Sequence, residues 1–485
     1  MTRARRFLRG STYIMVCTLL AGCAVGPNYI LPKAAVVNLP TAQQPFVNSA
    51  DNAAVSGAPP LAGWWRLYRS PDLDRLVAEA LQANTDLRIA EANLERSQAM
   101  VQLARTQGQP QAGFQGGFER GLLSAENYLS EADLPVSNLY AIDLSASYEV
   151  DLFGRIKRGI EAARADDEAV AAARDWVRVS VAAKVTRAYL DACSAGDELA
   201  VAHRTIELQK RNRDLVHRLE VEGRATRLDE TRSRTLVDQL LAGVPPIEAR
   251  RRNALYQLAV LTGRPPGEVD PGAERCEAAP AIDQAIPVGD GAALLRRRPD
   301  VRAAERQLAA STAEIGVATA DLYPRIVLHA GVGSTGLAGD FLLHKTDDWA
   351  VGPLVTWQLN QNAARARIAA ATAAQKAQLA RFDGVVLDAL RETETALNVY
   401  RHDLQRQVIL TTARDSAASA AADAHTLQAE GRSGDLATLD AERTLAGAEF
   451  SLAAIRTQIA QDQAVLFLAL GGGWEREASG PQVGN

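Results

Sequence analysis

The chain has 485 residues, only 5% of them aromatic, and a formal net charge of −5. A basic leader with Arg3, Arg5, Arg6 and Arg9 accounts for part of the positive charge, so the remainder is more acidic still, which argues against nucleic acid as the main partner. Few aromatics and abundant alanine suit closely packed helices better than one large globular core.

Residues 1–22 read as a secretory signal, with a basic start and an apolar run, Tyr13 to Leu20, too short to cross a bilayer. Leu20-Ala21-Gly22-Cys23 resembles a bacterial lipobox. That resemblance implies cleavage before Cys23, a diacylglycerol on its sulfur and an acylated amine, palmitate among the chains. Several acyl chains anchor firmly where one is marginal. The alternative is an ordinary cysteine behind a signal. Ala24 resembles the residue of outer-membrane lipoproteins at this position, where an Asp would imply inner-membrane retention. Beyond this covalent lipid no cofactor is expected. Cys17 leaves with the signal, so Cys193 and Cys276 remain. An oxidising periplasm permits a bond between them, but Cys193 lies inside a long helix and nothing in the sequence brings them together. Free thiols are the expectation.

Residues 23–62 lack any period and read as an extended tether along the surface. Residues 63–270 form a first repeat. Ser70-Pro71-Asp72 is a good helix start; one helix reaches about Asn84 and a second about Gln107. Pro110 ends it and the period changes to two. A weak strand is expected over 111–119 and a stronger one over 139–152. There Tyr140, Ile142, Leu144, Ala146, Tyr148 and Val150 alternate with Asp143, Ser145, Ser147 and Glu149. One greasy and one wet face fit a barrel wall around water, with a half-buried hairpin in a soluble sandwich as the alternative.

The next stretch, 155–222, contains no proline. Val177, Val181, Val185, Ala188, Ala192, Ala195, Leu199, Ala202 and Ile206 recur at steps of four and three, a coiled-coil seam. Such a helix would reach roughly 100 Å and must bury its seam against other long helices. Glu222-Gly223-Arg224 turns the chain into a return helix over 227–261, bent at Pro245-Pro246.

Residues 271–474 then repeat the programme. Asp86-Leu-Arg-Ile-Ala-Glu91 is echoed by Asp300-Val-Arg-Ala-Ala-Glu305, and Leu94, Ser97, Ala99 and Pro110 by Leu308, Ser311, Ala313 and Pro324. Strands are expected at 325–333 and 349–360, a second long helix at 362–429, a turn at Glu430-Gly431-Arg432 and a return helix at 436–470. A tail, 475–485, follows. Gly331 to Gly336 matches GxGxxG, but no helix opens behind it, so a glycine-rich barrel loop is expected rather than a dinucleotide site. HExxH, P-loop and CxxC patterns are lacking, and neither catalysis nor metal binding is expected. Four strands per chain are too few to close a barrel. Open edges are not tolerated in a bilayer, so several copies must share one.

The lipobox with Gly26-Pro27-Asn28-Tyr29, Trp64-Trp65, Tyr148-Glu-Val-Asp-Leu-Phe-Gly154, Arg297-Arg298-Pro299-Asp300-Val301 and Leu439-Asp440-Ala441-Glu442-Arg443 together resemble TolC-like outer-membrane factors. The lipoprotein branch typified by OprM and NodT-type efflux proteins fits best. The resemblance implies an α+β membrane protein, a homotrimer. Its twelve-stranded β-barrel continues into a long α-helical coiled-coil barrel in the periplasm. It implies a passive exit duct of a tripartite efflux system, partnered by a periplasmic adaptor and an inner-membrane RND pump. A type I secretion duct and a lipid-anchored coiled-coil scaffold are the alternatives. It also implies a periplasmic gate at Leu436 and Asp440, with Arg443 as a charge partner and Asp435 as a further member. Helix packing for Leu436 and a solvated acid at Asp440 is the plain alternative. Gly223, Arg224, Gly431 and Arg432 match the adaptor-docking tip, and the glycines also suit helix caps.

Overall fold

The computed structural model describes residues 24–49, 52–122, 124, 126, 131, 132 and 134–472. The signal segment, Cys23, the tail 475–485 and the side chains of Asp435 and Leu436 lie outside the described residues. The chain forms two compact units. One takes the described residues up to Pro32 with Leu94–Val170 and Ala304–Phe382; the other takes Lys33–Asn93, Ala171–Ala303 and the chain from Asp383 onward. Each unit therefore draws on both sequence repeats.

The α-helices longer than one turn are α1 (Pro71–Ala83), α2 (Thr85–Thr106), α3 (Arg155–Val221), α4 (Arg227–Ala242), α5 (Val244–Leu261), α6 (Gly291–Arg297), α7 (Pro299–Ala320), α8 (Asn362–Ala429) and α9 (Asp435–Ala469). Ser70 caps α1 by accepting from Leu73 N, and Pro71 opens it. The return helix of the first repeat is broken into α4 and α5 at Gly243. Its two prolines sit in the first turn of α5, where their missing N–H groups leave no bond unmade.

In the first unit, strands β1 (Gln111–Gly121), β2 (Ser137–Val150), β3 (Arg325–Leu337) and β4 (Asp347–Thr356) make one antiparallel sheet in that order. The glycine-rich run Gly331 to Gly336 lies inside β3 and is not a loop. The period-two pattern of β3 continues past it, and a flexible glycine can still complete a ladder. The N-terminal strap is tied down by Arg158, a buried side chain that donates to Asn28 Oδ1 at 2.7 Å and to the carbonyl oxygens of Val25 and Gly26. Tyr29 donates to Glu305 Oε1 at 2.9 Å.

The core of the second unit joins Leu73, Leu76 and Val77 of α1 to Val181, Val185 and Leu190 of α3. Leu255 and Leu258 of α5 and Ile455, Leu466 and Phe467 of α9 complete it. Around Val181 to Leu199 the helix α3 is buried on nearly every side rather than along one seam. The linker behind α5 supplies part of the extra cover. The tether also contributes: Phe46 and Val55 enter this core, and the Glu394 carboxylate accepts from Val47 N and Asn48 N. Val55–Ser56 pairs in parallel with Ile286–Pro287.

The expectation of free thiols is corrected. Cys193 and Cys276 form a disulfide, with Cα atoms 4.9 Å apart across 83 residues of sequence. The linker lies flat on α3 because Gly196, one turn past Cys193, has no side chain. A Cβ there would stand 2.5 Å from the Cys276 carbonyl oxygen. The bond was not visible in the sequence because it depends on the path of that linker.

Between α8 and α9 the polar groups form a buried chain: Tyr68 donates to Gln463, which donates to Tyr400. Beside it Asp462, 6% exposed, accepts from Gln458 at 2.8 Å. Burial, together with the hydrogen bond that protonated Asp462 donates to the neighbouring carboxylate of Asp403, pushes Asp462 up to about 6. The folded state thus holds this proton more tightly than the unfolded chain. Its stabilising contribution is complete below the ordinary value of 3.8 and is lost as pH rises through about 6. Asp462→Asn is expected to flatten the thermal midpoint of the purified protein between pH 5 and 7.5, with a gain of about 2 kcal/mol at the upper end. A midpoint that falls equally in both proteins across this range would refute the assignment.

Candidate functional site

Two regions carry the functional geometry, and the first is the sheet. Directly opposed residues of an antiparallel ladder project to one face. Phe114, Leu144, Val332 and Trp349 therefore line up across all four strands on one side. Gln115, Asp143, Gly333 and Asp348 form the adjacent row on the other side. The apolar face is open to its surroundings, with Phe114 71%, Trp349 77% and Val351 72% exposed. An exposed apolar surface of this extent marks a contact with membrane or protein. Among the described residues, the outer edges of β1 and β4 have no partner strand in the sheet. Aromatic groups gather where the strands meet the helices: Phe153 stacks on Tyr323 at 4.4 Å, and Trp357 Nε1 donates to Leu322 O. One sheet with a lipid-suited face, a polar face and two free edges is a segment of a transmembrane barrel. No helix among the described residues is long and apolar enough to cross a membrane.

The second region is the pair of helical turns. Gly223 and Gly431 both adopt positive φ, 75° and 70°, which a side chain would resist. Their hydrogen bonds match. Arg224 N donates to Leu219 O at 2.7 Å, and Arg432 N to Leu427 O at 2.8 Å, the six-to-one bond of a Schellman cap. Arg224 and Arg432 are exposed, facing Glu222 at 3.7 Å and Glu430 at 2.9 Å, pairs weak enough to yield to a partner. The helices that leave the two turns are capped differently. Thr226 and Asp229 make a reciprocal capping box on α4. At α9 the cap is Gly434, with no side-chain bond.

Asp435 and Leu436 open α9. Further along, Asp440 is exposed and meets Arg443 Nη2 at 2.8 Å, one turn on. Leu439, immediately before Asp440, is buried. Asp440 and Arg443 line one side of a groove between α4 and α9, opposite Thr231, Thr235 and Leu236.

One cluster was missed in the sequence. Glu442 accepts from Asn212 of α3 and lies 2.9 Å from His425 Nε2 of α8, tying three helices together. Burial pushes its carboxyl up, against the pull of His425 and Asn212. Glu442 sits inside a quoted motif, but its partners lie far away in sequence and share no periodic signal with it.

Residues 76–264 and 292–472 match the family model described as Outer membrane efflux protein. The chain is 28% identical to nodulation protein T of Rhizobium leguminosarum bv. trifolii over 483 residues, 97% of this chain and 98% of that protein. It is 28% identical to the solvent efflux pump outer membrane protein SrpC of Pseudomonas putida, over 94% of this chain and 96% of that one. Among solved structures it resembles the outer-membrane channel OprN, with a TM-score of 0.86 and 33% identity across 93% of this chain and 100% of that chain. It also resembles the open state of the MtrE outer membrane channel of Neisseria gonorrhoeae, with a TM-score of 0.79 and 26% identity over 94% and 99% of the two chains. This is a family of channels rather than of enzymes. Its subunits assemble as trimers in the outer membrane, extend into the periplasm and work with an adaptor and an inner-membrane pump. A shared barrel of that kind resolves the open sheet edges, because each free edge finds a strand of the next copy. The chain therefore belongs to the outer membrane efflux protein family and is an outer-membrane exit duct for efflux.

Proposed function

We propose that this duct carries small organic compounds for an RND-type pump and is held shut at its periplasmic end by the start of α9. In this reading Leu436 forms an apolar ring in the trimer, and Asp440 forms an acidic ring offset by Arg443, with Asp435 beside them. The observation that carries it is the exposed Asp440–Arg443 pair on a helix whose first turn lacks a side-chain cap. A side-chain cap commonly contributes about 1 kcal/mol, so α9 begins less firmly held than α4. Three converging carboxylates repel unless a cation or a basic neighbour offsets them, and Arg443 supplies that charge. Arg224 and Arg432, set out on the Gly223 and Gly431 turns, meet the adaptor. Its arrival competes for their glutamate partners and draws the turns apart. Cys23 carries the lipid that fixes the N-terminus to the outer membrane.

The gate is tested in planar bilayers. Leu436→Ala and Asp440→Ala should each raise single-channel conductance several-fold. Conductance equal to the parent in both variants would remove the gate from these residues.

A further inference from the structure

The link between β3 and β4 does not extend away from the sheet. It folds back over the apolar face. Tyr140 and Ser334 point to that face, and their hydroxyls meet at 2.7 Å. Thr346 lies 2.8 Å from both, and Tyr140 Oη accepts from Leu342 N at 2.9 Å. Phe341 packs on the Tyr140 ring at 4.8 Å. Gly336, opposite Tyr140 in the ladder, leaves room for this: a Cβ there would come 2.7 Å from Thr346 Cγ2. The hydroxyls satisfy one another beneath the fold, and Tyr140 and Ser334 are buried.

What the fold presents outward is apolar. Phe341, Leu342 and Leu343 are 52%, 58% and 48% exposed. Leu342 holds a φ of 56°, a conformation that a branched side chain adopts only under constraint, and its N–H is the group bound to Tyr140. The neighbouring charges are paired, Lys345 with Asp340 at 2.7 Å and His344 with Asp347 at 2.9 Å.

The height of the face says what this cover is for. From Ile326 to Val332 the open apolar face of β3 rises about 20 Å along the strand, or about 15 Å along the normal at a tilt of about 40°. A lipid-facing band is about 25 Å tall. The missing height is supplied by the rows at Ser334 and Gly336. Those rows would show hydroxyls to the bilayer if they were bare, where no water is present to satisfy them.

We propose that Phe341, Leu342 and Leu343 form a hydrophobic cover that completes the upper part of the lipid-facing band and contacts the acyl chains of the outer leaflet. Leu144 and Val332, exposed on the apolar face, lie in the row below this cover, with Asp347 paired to His344 at its β4 margin; the apolar surface thus runs up β2 and β3 to the cover, which favours lipid over water as its surroundings. The proposal rests on the reading of that face as the outside of the barrel, and the test separates the two.

A nitroxide is attached at Leu343→Cys in the full-length trimer reconstituted in phospholipid bilayers; Cys193 and Cys276 are bonded to each other and do not compete for the label. Collision rates with oxygen and with a water-soluble nickel complex are measured there, at Val351→Cys on the open apolar face and at Gln115→Cys on the polar face. Leu342→Cys serves as a second site if the first variant fails to assemble. At the cover, oxygen collisions should exceed nickel collisions several-fold, as at Val351. Nickel dominating at the cover but not at Val351 places it in water and overturns the proposal. Low rates with both reagents place it against a neighbouring copy and overturn it equally. Nickel dominating at Val351 as well would overturn the barrel reading beneath it.

Discussion

Arg298→Ala is expected to destabilise the protein by about 3–5 kcal/mol, the scale for removing one partner from a buried ionic network. Arg298 is 2% exposed. Its guanidinium donates to both carboxylate oxygens of Asp300, at 3.0 and 2.6 Å, and to Glu392 Oε2 of α8 at 2.9 Å. It also donates to Ala469 O at the last turn of α9, at 2.9 Å, and lies 5.0 Å over the Trp176 ring of α3. One side chain therefore joins the start of α7, the end of α9 and the flanks of α3 and α8. The Ala469 contact is the most consequential, because a terminal helix carbonyl has no partner within its own helix. Alanine would leave Ala469 O with only the longer bond from Thr393 Oγ1, at 3.3 Å, and Asp300 with only the Val301 N–H, at 3.0 Å. Arg298→Lys keeps the charge but cannot make the forked bond to Asp300 or reach three acceptors in one plane, so it should lose a large part of the same energy. The check is the thermal midpoint of the detergent-solubilised trimer, which should fall by several degrees in the alanine variant and less in the lysine variant. A loss below about 1 kcal/mol in the alanine variant, the level of a surface ion pair, would refute this role.

The second large effect concerns the Cys193–Cys276 bond. Opening a cross-link that spans 83 residues restores about 4 kcal/mol of chain freedom to the unfolded state. Cys193→Ala with Cys276→Ala is the cleaner form of the experiment, since Cys193 is fully buried and alanine adds no unsatisfied group there. The double variant should unfold several degrees lower than the parent. Treatment with reductant should lower the parent to a similar level and leave the variant unmoved. The linker around Cys276 should become susceptible to proteolysis before the helices do. A parent insensitive to reductant after complete reduction, verified by thiol counting, would show that burial alone fixes the linker.

The helices were legible because their signals are local. The proline-free run with apolar residues at steps of four and three forms α3 over Arg155–Val221, and the second such run forms α8 over Asn362–Ala429. Tyr140 to Val150, alternating at period two, forms β2. The glycines at 223 and 431 read as turns because only a residue without a Cβ accepts their φ. The GxGxxG run reads as a loop because no helix opens behind it, and glycine is a weak strand former. The ladder partners of β3 override that preference through Ser145 and Asp143 on one side and Ala350 and Asp348 on the other.

The sequence by itself determined the repeated programme, the order of helices and strands and the two-faced character of the sheet. These depend on residue spacing over a few turns or a few strand residues, and such spacing is written directly in the chain. Only the tertiary structure decided that Cys193 meets Cys276, that Asn212 and His425 converge on Glu442, and that the β3–β4 link folds over Tyr140. Each of these joins side chains that are distant in sequence through the path of a linker or the facing of packed helices. Composition and periodicity leave that path free, and it is fixed only when the buried surfaces close on one another.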